Sequence, residues 1–272
     1  GDKLSSPAGD WKTNGTVAIT LPGAADDVVV NTAGADALQI STDTAVASNM
    51  TVGSTADSEI SIGSGGVINL GGTQTFGGGT GVSVTVVNAG TNLVAGNIET
   101  LAAGQVTINN SGLMQSVANQ VTIGANTVVT NSGTIQGQIM LNVIGGSVVN
   151  DGTISTVEGA ATKPISSFGN GFYFENTTNG VLDLGWGLNA NAGTMTNRGE
   201  ISLGKQFFVG SDNQGGEVTV FNAAGAEIRP GGMVQMGRTA GAAAGTVINE
   251  GYFHAGSTAG LQLSHGTQTI LN

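Results

Sequence analysis

The sequence predicts an all-β protein built as a right-handed parallel β-helix, a β-solenoid, of about ten coils. Three observations indicate this fold: short runs that alternate apolar and polar residues, a corner motif that recurs along the chain, and an unusual content of glycine. Glycine accounts for 47 of the 272 residues but lacks the every-third-residue spacing of collagen. Because 39% of the residues are hydrophobic, we expect the chain to fold rather than to stay disordered.

The N-terminal segment, residues 1–25, does not follow the repeat and contains Pro7, Trp11 and Pro22. An open solenoid end exposes unpaired backbone groups, so we expect this segment to cap the first coil or to serve in docking. The parallel β-helix is then expected to occupy residues 26–272.

The corner motif is an asparagine, a short gap, a glycine and another apolar residue, as in Asn131-Ser132-Gly133-Thr134-Ile135. Looser copies begin at Asn88, Asn176 and Asn222. From Gly90 to Gly251, seven intervals cover 161 residues, with a mean of 23 and a range from 19 to 28. The candidate corner residues are Asn110, Asn131, Asn150, Asn197, Asn222, Asn249, Gly112, Gly133, Gly152 and Gly199.

A chain that coils around an axis meets the same corner once per turn, which explains why the same residues recur. Asparagine tolerates the left-handed conformation and glycine adopts positive φ without a Cβ clash, so both suit a tight corner. Stacked corners would place successive asparagines about 4.8 Å apart, close enough for an amide ladder. The alternative is an antiparallel sandwich with Asn-Gly hairpins, but those turns would recur about every 8–12 residues.

Short strands with apolar residues inside and polar residues outside are expected between the corners. Clear examples are Val106-Thr107-Ile108, Val121-Thr122-Ile123, Val218-Thr219-Val220 and Leu261-Gln262-Leu263. Three such strands with their turns fill about 20 residues, the size of one coil.

The Asn-x-Gly-x-Ile corners, the opening run Ala24-Ala25-Asp26-Asp27-Val28-Val29-Val30-Asn31 and the richness in Gly, Ser, Thr and Asn resemble the passenger regions of bacterial autotransporters and haemagglutinin-like secreted adhesins. The likeness covers about residues 24–272. It implies a secreted or cell-surface β-helix of a Gram-negative bacterium, exported by a type V route. It also implies an adhesive role, with a glycan or a host or cell-surface protein as partner.

The charge of the chain excludes several classes of partner. The formal net charge is −11 with only seven Lys and Arg residues, so no basic surface is expected to bind nucleic acid. No apolar run approaches the ~18 residues of a membrane helix, and we expect no membrane insertion.

No catalytic residue, metal site or cofactor is expected. Polysaccharide-cleaving β-helices need clustered carboxylates with Arg or Lys on one outer sheet, and Arg198 and Glu200 beside a corner glycine are better explained as solvated residues. Asp26 and Asp27 would point to opposite faces of a strand, so they are not expected to bind one calcium ion together. His254 and His265 are 11 residues apart, about half a coil, so we expect them on different faces and not in one metal site or catalytic triad. A polysaccharide-active enzyme therefore remains only a third hypothesis.

Aromatic residues form the most informative cluster outside the corners, because seven of the twelve fall between residues 168 and 208. Phe172, Tyr173, Phe174 and Trp186 are candidates for a binding platform that stacks on sugar rings or anchors a protein. The alternative is that these aromatic side chains stack inside the solenoid and fill its core.

Head-to-tail self-association is the last expectation. Asn249 and Asn272 are 23 residues apart, so Asn272 resembles the start of another corner. Ile270 and Leu271 could pair with the N-terminal segment of a second copy, where Val17 and Ile19 can form a strand. Such contacts do not close and would give a fibre. The alternative is that the chain is a fragment of a longer adhesin and binds its partner without assembling into a fibre.

Overall fold

The structure, a computed structural model, describes residues 12–13, 16–17, 23–31, 38–40, 42, 44–157, 165–210, 216–238, 244–254 and 260–272. The regular secondary structure of these residues consists of β-strands. In this part of the chain there is no helix with the length and apolar character needed to cross a membrane.

The strands, in chain order, are β1 (Lys12–Thr13), β2 (Thr16–Val17), β3 (Val28–Val30), β4 (Leu38–Ile40), β5 (Thr44–Ala47), β6 (Met50–Val52), β7 (Ser58–Ile62), β8 (Val67–Leu70), β9 (Gln74–Phe76), β10 (Ser83–Asn88), β11 (Thr91–Val94), β12 (Ile98–Thr100), β13 (Gln105–Asn110), β14 (Leu113–Ser116), β15 (Val121–Ile123), β16 (Thr127–Asn131), β17 (Thr134–Gly137), β18 (Leu141–Val143), β19 (Ser147–Asn150), β20 (Thr153–Thr156), β21 (Ser166–Phe168), β22 (Phe172–Asn176), β23 (Val181–Leu184), β24 (Leu188–Ala190), β25 (Gly193–Asn197), β26 (Glu200–Leu203), β27 (Phe207–Val209), β28 (Glu217–Asn222), β29 (Glu227–Pro230), β30 (Val234–Met236), β31 (Ala244–Asn249), β32 (Tyr252–Phe253), β33 (Leu261–Leu263) and β34 (Gln268–Leu271).

Three parallel sheets run along one axis, and the chain visits them in rotation. Sheet 1 holds every third strand from β3 to β33, sheet 2 those from β4 to β34, and sheet 3 those from β5 to β32, giving eleven, eleven and ten strands. Each coil therefore contributes one strand to each sheet. Ten complete sets of three strands run from β3 to β32, and the strands β33 and β34 follow them. The predicted parallel β-solenoid is confirmed.

The core follows from the alternation of residues along each strand. In β13, for example, Val106, Ile108 and Asn110 point inward and are buried, while the residues between them are exposed. Parallel pairing stacks equivalent side chains from coil to coil, so one interior column of sheet 2 contains Val86, Ile108, Val129, Val148, Phe174, Met195, Val220 and Val247. Burial of each of the large side chains in such a column stabilises the fold by ~1.5–3 kcal/mol.

The three corners of the coil differ in length. The corner from sheet 2 to sheet 3 is short in most coils, as between Asn110 and Leu113. The connections at the two edges of sheet 1 vary more, and residues 158–164, 211–215, 239–243 and 255–259, which lie outside the described residues, all belong to them. Insertions in this solenoid are therefore concentrated around sheet 1.

The N-terminal segment is described only in part. β1 and β2 form a two-stranded antiparallel hairpin in which Lys12 pairs with Val17 and Thr13 with Thr16. Val17 thus ends a strand, whereas Ile19, the other candidate for subunit contact, lies outside the described residues.

Candidate functional site

An asparagine ladder follows the corner between sheets 2 and 3. Each of its asparagines except Asn272 is the last residue of a sheet 2 strand. Eight hydrogen bonds of 2.6–3.0 Å, each from one side-chain amide to the next, join the members in order. The ladder consists of Asn88, Asn110, Asn131, Asn150, Asn176, Asn197, Asn222, Asn249 and Asn272. The structure therefore brings together the six candidate corner asparagines, the looser copies at Asn88 and Asn176 and the last residue of the chain.

Asn131 shows how a ladder member is satisfied. Its Oδ1 accepts a bond of 2.7 Å from Asn110, and its Nδ2 donates to Asn150 Oδ1 at 2.7 Å and to the Thr153 carbonyl at 3.1 Å. The side chain is fully buried, so these bonds replace those that water would supply. Each side-chain amide of this kind therefore donates two hydrogen bonds to the next coil, one to a side chain and one to the backbone.

The corner glycines serve a different purpose from the one expected. Among the described residues other than glycine, only Asn126 has positive φ, at 60°, and it is not in the ladder. Gly112, Gly133, Gly152 and Gly199 are not among the positive-φ glycines either. A Cβ on Gly133 would lie 2.2 Å from the Gly112 carbonyl oxygen, and the other three positions are equally crowded. The expected left-handed corner is thus corrected: glycine is needed because stacked corner backbones approach too closely for a side chain.

The ladder has two distinct ends. At its beginning, Asn88 pairs in register with Ile62 of the preceding coil, so no donor faces it and its buried Oδ1 has no hydrogen-bond partner. At its other end, Asn272 accepts from Asn249 at 2.7 Å and is exposed. The amide groups all point in the same direction, which gives the ladder a polarity along the axis.

The aromatic candidates divide between the interior and the surface. Phe172 and Phe174 are buried and contact Phe168, with ring centroids 5.4 and 5.1 Å away. They therefore belong to the core, and a ligand outside the solenoid cannot stack on them. Tyr173 is 39% exposed, and Trp186 is half-buried at the edge of sheet 1. Only these two of the four candidates reach the surface.

Tyr173 lies within a small charged group on sheet 2. Its hydroxyl donates a bond of 2.8 Å to Glu175, and this bond raises the pKa of Tyr173. Arg198 forms a 3.4 Å ion pair with Glu175 from the next coil. The group is satisfied internally, so it presents little unpaired charge to a partner.

A second charged group, on the outer face of sheet 3, was not anticipated from the sequence. Glu200 and Glu227 are register neighbours, and Arg229 bonds to both. His254 lies 3.1 Å from Glu227 and stacks on Tyr252. The hydrogen bond from Arg229 lowers the pKa of Glu227. A general acid needs a raised carboxyl pKa, so the arrangement favours ion pairing over proton donation.

The outer face of sheet 1 changes character along the axis. Its outward column begins with the exposed Val29 and continues through half-buried residues such as Thr122 and Ser167, but Asn189, Phe208 and Gln235 are only 9%, 3% and 9% exposed. Lys205 and Arg238 lie beside this part of the face. This cluster was not predicted from the sequence, although the alternation of inward and outward residues along Phe207-Phe208-Val209 places Phe208 on the outer side.

The last layer of the solenoid leaves core positions uncovered. Leu261, Leu263 and Ile270 pair with the buried residues Val234, Met236 and Val247, yet they are 56%, 55% and 38% exposed. Leu271, on the outer side of the same layer, is 54% exposed. The candidates Ile270 and Leu271 thus lie at one open end of the core.

Across the described ranges, no group of three or more His, Cys, Asp and Glu side chains is placed to hold a metal ion. Comparisons of the chain with protein-family models, curated proteins and solved structures found no match.

Proposed function

We propose that the chain is a structural and adhesive β-solenoid that acts outside the cell, secreted or at the surface of a Gram-negative bacterium. The observation that carries the proposal is the rod itself, in which three sheets and one continuous asparagine ladder repeat along a single axis. With about 4.8 Å per coil, ten coils give a rod of roughly 50 Å. A rod of this kind presents contact surfaces along its whole length.

The outer surface supports this proposal. One outward column of sheet 2 is rich in threonine, with Thr85, Thr107, Thr194, Thr219, Thr246 and Thr269. Only 9% of all residues are charged. Short hydroxyl side chains on a regular lattice form hydrogen bonds with little loss of side-chain entropy, which suits contacts with a glycan or a cell-surface protein.

A head-to-tail fibre is a second form of the same function, favoured by the exposed last layer. Leu263 and Ile270 present the open end of the core, and the edges of β33 and β34 carry unpaired backbone groups. A second copy that added strands there would cover both. If the chain is instead a fragment of a longer adhesin, the following coil would cover the same surface.

The adhesive function is tested with beads coated with the folded chain and applied to cell layers. We expect more attachment than with beads coated with the heat-unfolded chain, because the lattice of surface side chains exists only in the folded rod. Equal attachment of both bead types would contradict adhesion. Protease treatment of intact producing cells tests the proposed location outside the cell. Cleavage of the chain only after lysis would contradict that location.

We propose no catalytic activity for the chain. A panel of polysaccharides should give neither new reducing ends nor unsaturated products on incubation with it. Asp183 is an exposed residue of β23, the strand that pairs with the strand of Glu200. Cleavage that disappears in Glu200→Gln or Asp183→Asn variants would establish the polysaccharide-active alternative.

A further inference from the structure

The basic side chains that the structure describes fall into two classes. Arg198 and Arg229 form ion pairs with glutamates. Lys205 and Arg238 have no carboxylate partner among the described residues, and each lies over an aromatic ring instead. In a chain with a net charge of −11, two exposed cations without an acidic partner in the described part of the chain stand out.

Each of these cations is held in place by its ring. The Lys205 Nζ lies 5.7 Å from the centroid of the Trp186 ring, and the Arg238 Cζ lies 4.9 Å from that of Phe208. Trp186 and Lys205 occupy the same corner of successive coils, joined by a backbone hydrogen bond from Lys205 to Trp186. A cation–π contact positions a cation while leaving its charge available to an external anion.

The two cations flank sheet 1 from opposite edges. Lys205 precedes β27 and Arg238 follows β30, and these two strands are register neighbours through Phe208 and Gln235. The Arg238 Cζ lies over Phe208, the middle residue of β27, whereas Lys205 lies at the corner that precedes this strand. A ligand that uses both cations must therefore extend along part of the sheet 1 face.

The location agrees with a binding role. The longest connections between strands join sheet 1 to its neighbours: those between β27 and β28 and between β30 and β31 at one edge, and those between β20 and β21 and between β32 and β33 at the other. In solenoid proteins the insertions of successive repeats gather on one face, which is often the binding face. By contrast, the corner that carries the asparagine ladder is short in most coils.

We propose that the exposed Lys205 and Arg238 and the half-buried Trp186, which flank this part of sheet 1, bind an acidic oligosaccharide. Carboxylate or sulfate groups of the glycan pair with Lys205 and Arg238, and a sugar ring packs beside Trp186. A nucleic acid is disfavoured because two cations cannot offset the repulsion between its phosphates and a chain of net charge −11. The proposal rests on the adhesive function and names its ligand class.

The test measures binding of acidic and neutral hexasaccharides by calorimetry. The acidic probes are hexagalacturonate, a hyaluronan hexasaccharide, a sialylated oligosaccharide and a sulfated glycosaminoglycan hexasaccharide, and maltohexaose is the neutral probe. We expect at least one acidic probe to bind, with an affinity that falls as salt is added. Lys205→Gln and Arg238→Gln should each weaken binding about tenfold, because each removes one charge-assisted contact.

Arg198→Gln is the matched control, since Arg198 is an exposed arginine already paired with Glu175 on another sheet. It should leave the affinity unchanged, and circular dichroism should show that all three variants are folded. The proposal is overturned if no acidic probe binds better than maltohexaose, or if the control weakens binding as much as the other two variants.

Bead attachment separates this proposal from the adhesive function. Beads coated with the wild-type chain that attach although no acidic probe binds would leave adhesion standing and remove the glycan site. Attachment that depends on Lys205 and Arg238 but survives enzymatic removal of cell-surface glycans would assign the face to a protein partner and overturn the proposal. If the beads do not attach but an acidic probe binds, the site stands without the adhesive role.

Discussion

At the scale of the residue, the corner asparagine is bound from both directions along the axis. Asn110 donates to Asn131 at 2.7 Å and to the Thr134 carbonyl at 3.0 Å, and it accepts from Asn88 at 2.6 Å. An alanine in its place would leave the buried Oδ1 of Asn131 without its donor and would remove the bond that Asn88 donates, although Asn88 keeps its bond to the Leu113 carbonyl. The cost of an unsatisfied buried polar group is therefore added to the loss of the bonds.

We expect Asn110→Ala to lower the free energy of unfolding by about 1–3 kcal/mol. The matched control is Asn109→Ala, because Asn109 is the preceding residue of the same strand and points outward into solvent. That change should alter stability by no more than about 0.5 kcal/mol. Urea unfolding followed by circular dichroism measures both, and equal losses would show that the ladder contributes nothing specific.

The beginning of the ladder allows a gain-of-contact test. Ile62 lies below Asn88, whose Oδ1 is buried without a donor. In an Ile62→Asn variant the new amide would have the position and polarity to donate to Asn88, which offsets part of the lost apolar burial. Ile60→Asn, two residues earlier on the same strand and also buried, would gain no such partner.

We therefore expect Ile62→Asn to be less destabilising than Ile60→Asn by about 2 kcal/mol or more, the cost of leaving a buried amide unpaired. Urea unfolding of both variants measures the difference. If the two variants lose the same stability, the corner does not accept asparagine at this coil and the ladder depends on its local backbone.

At the scale of the element, the sequence predicted the strands and the ladder corner because both are local patterns. The alternation in Val106-Thr107-Ile108 needs only neighbouring residues, and parallel pairing then brings equivalent corners together. The face with Lys205 and Arg238 was not predictable in this way. Its two cations are separated by a connection of irregular length, so spacing alone does not place them on adjacent strands.

The role of the corner glycines was missed for a related reason. A positive φ is a property of one residue and can be guessed from its type, whereas the clash at Gly133 arises from the carbonyl of the preceding coil. That contact exists only after the coils stack. The sequence therefore indicated where glycine is needed without indicating the cause.

The ion-paired end of sheet 3 gives a prediction about pH. The hydrogen bond from Arg229 holds the pKa of Glu227 below its ordinary value. The Glu227 carboxylate thus stabilises the fold when the pH lies above its unfolded-state pKa, and this contribution is lost as the pH falls through the lower folded-state pKa. Since Arg229 is about half exposed and solvent screens the pair, the effect on stability is small and the titration itself is the better measurement.

We expect Arg229→Gln to raise the pKa of Glu227 towards its ordinary value, as seen in an NMR titration of the side-chain carboxyl carbon. Arg198→Gln is the control, because Arg198 pairs with Glu175 on sheet 2. An unchanged pKa of Glu227 in the Arg229→Gln variant would mean that His254, 3.1 Å away, is the controlling partner.

At the scale of the whole molecule, each coil contacts only its neighbours, so the end layers differ from all others. Positions equivalent to Leu263 and Ile270 are buried in the preceding coils because another coil covers them. In the last layer, apolar side chains and strand edges are exposed together. These are the two features that favour the addition of strands from a second chain.

We expect the sedimentation coefficient of the purified chain to rise with concentration. Leu263→Lys or Ile270→Lys should suppress this rise, because each places a charge at the open end of the core. Deletion of residues 1–21 should suppress it as well, because it removes the segment that we propose docks on this end, while the β-sheet circular dichroism signal persists. Ile144→Lys is the control, since Ile144 is 51% exposed on the side of the rod and far from its end. A wild-type chain that sediments as a monomer at every concentration would exclude head-to-tail assembly and leave the adhesin fragment as the form of this solenoid.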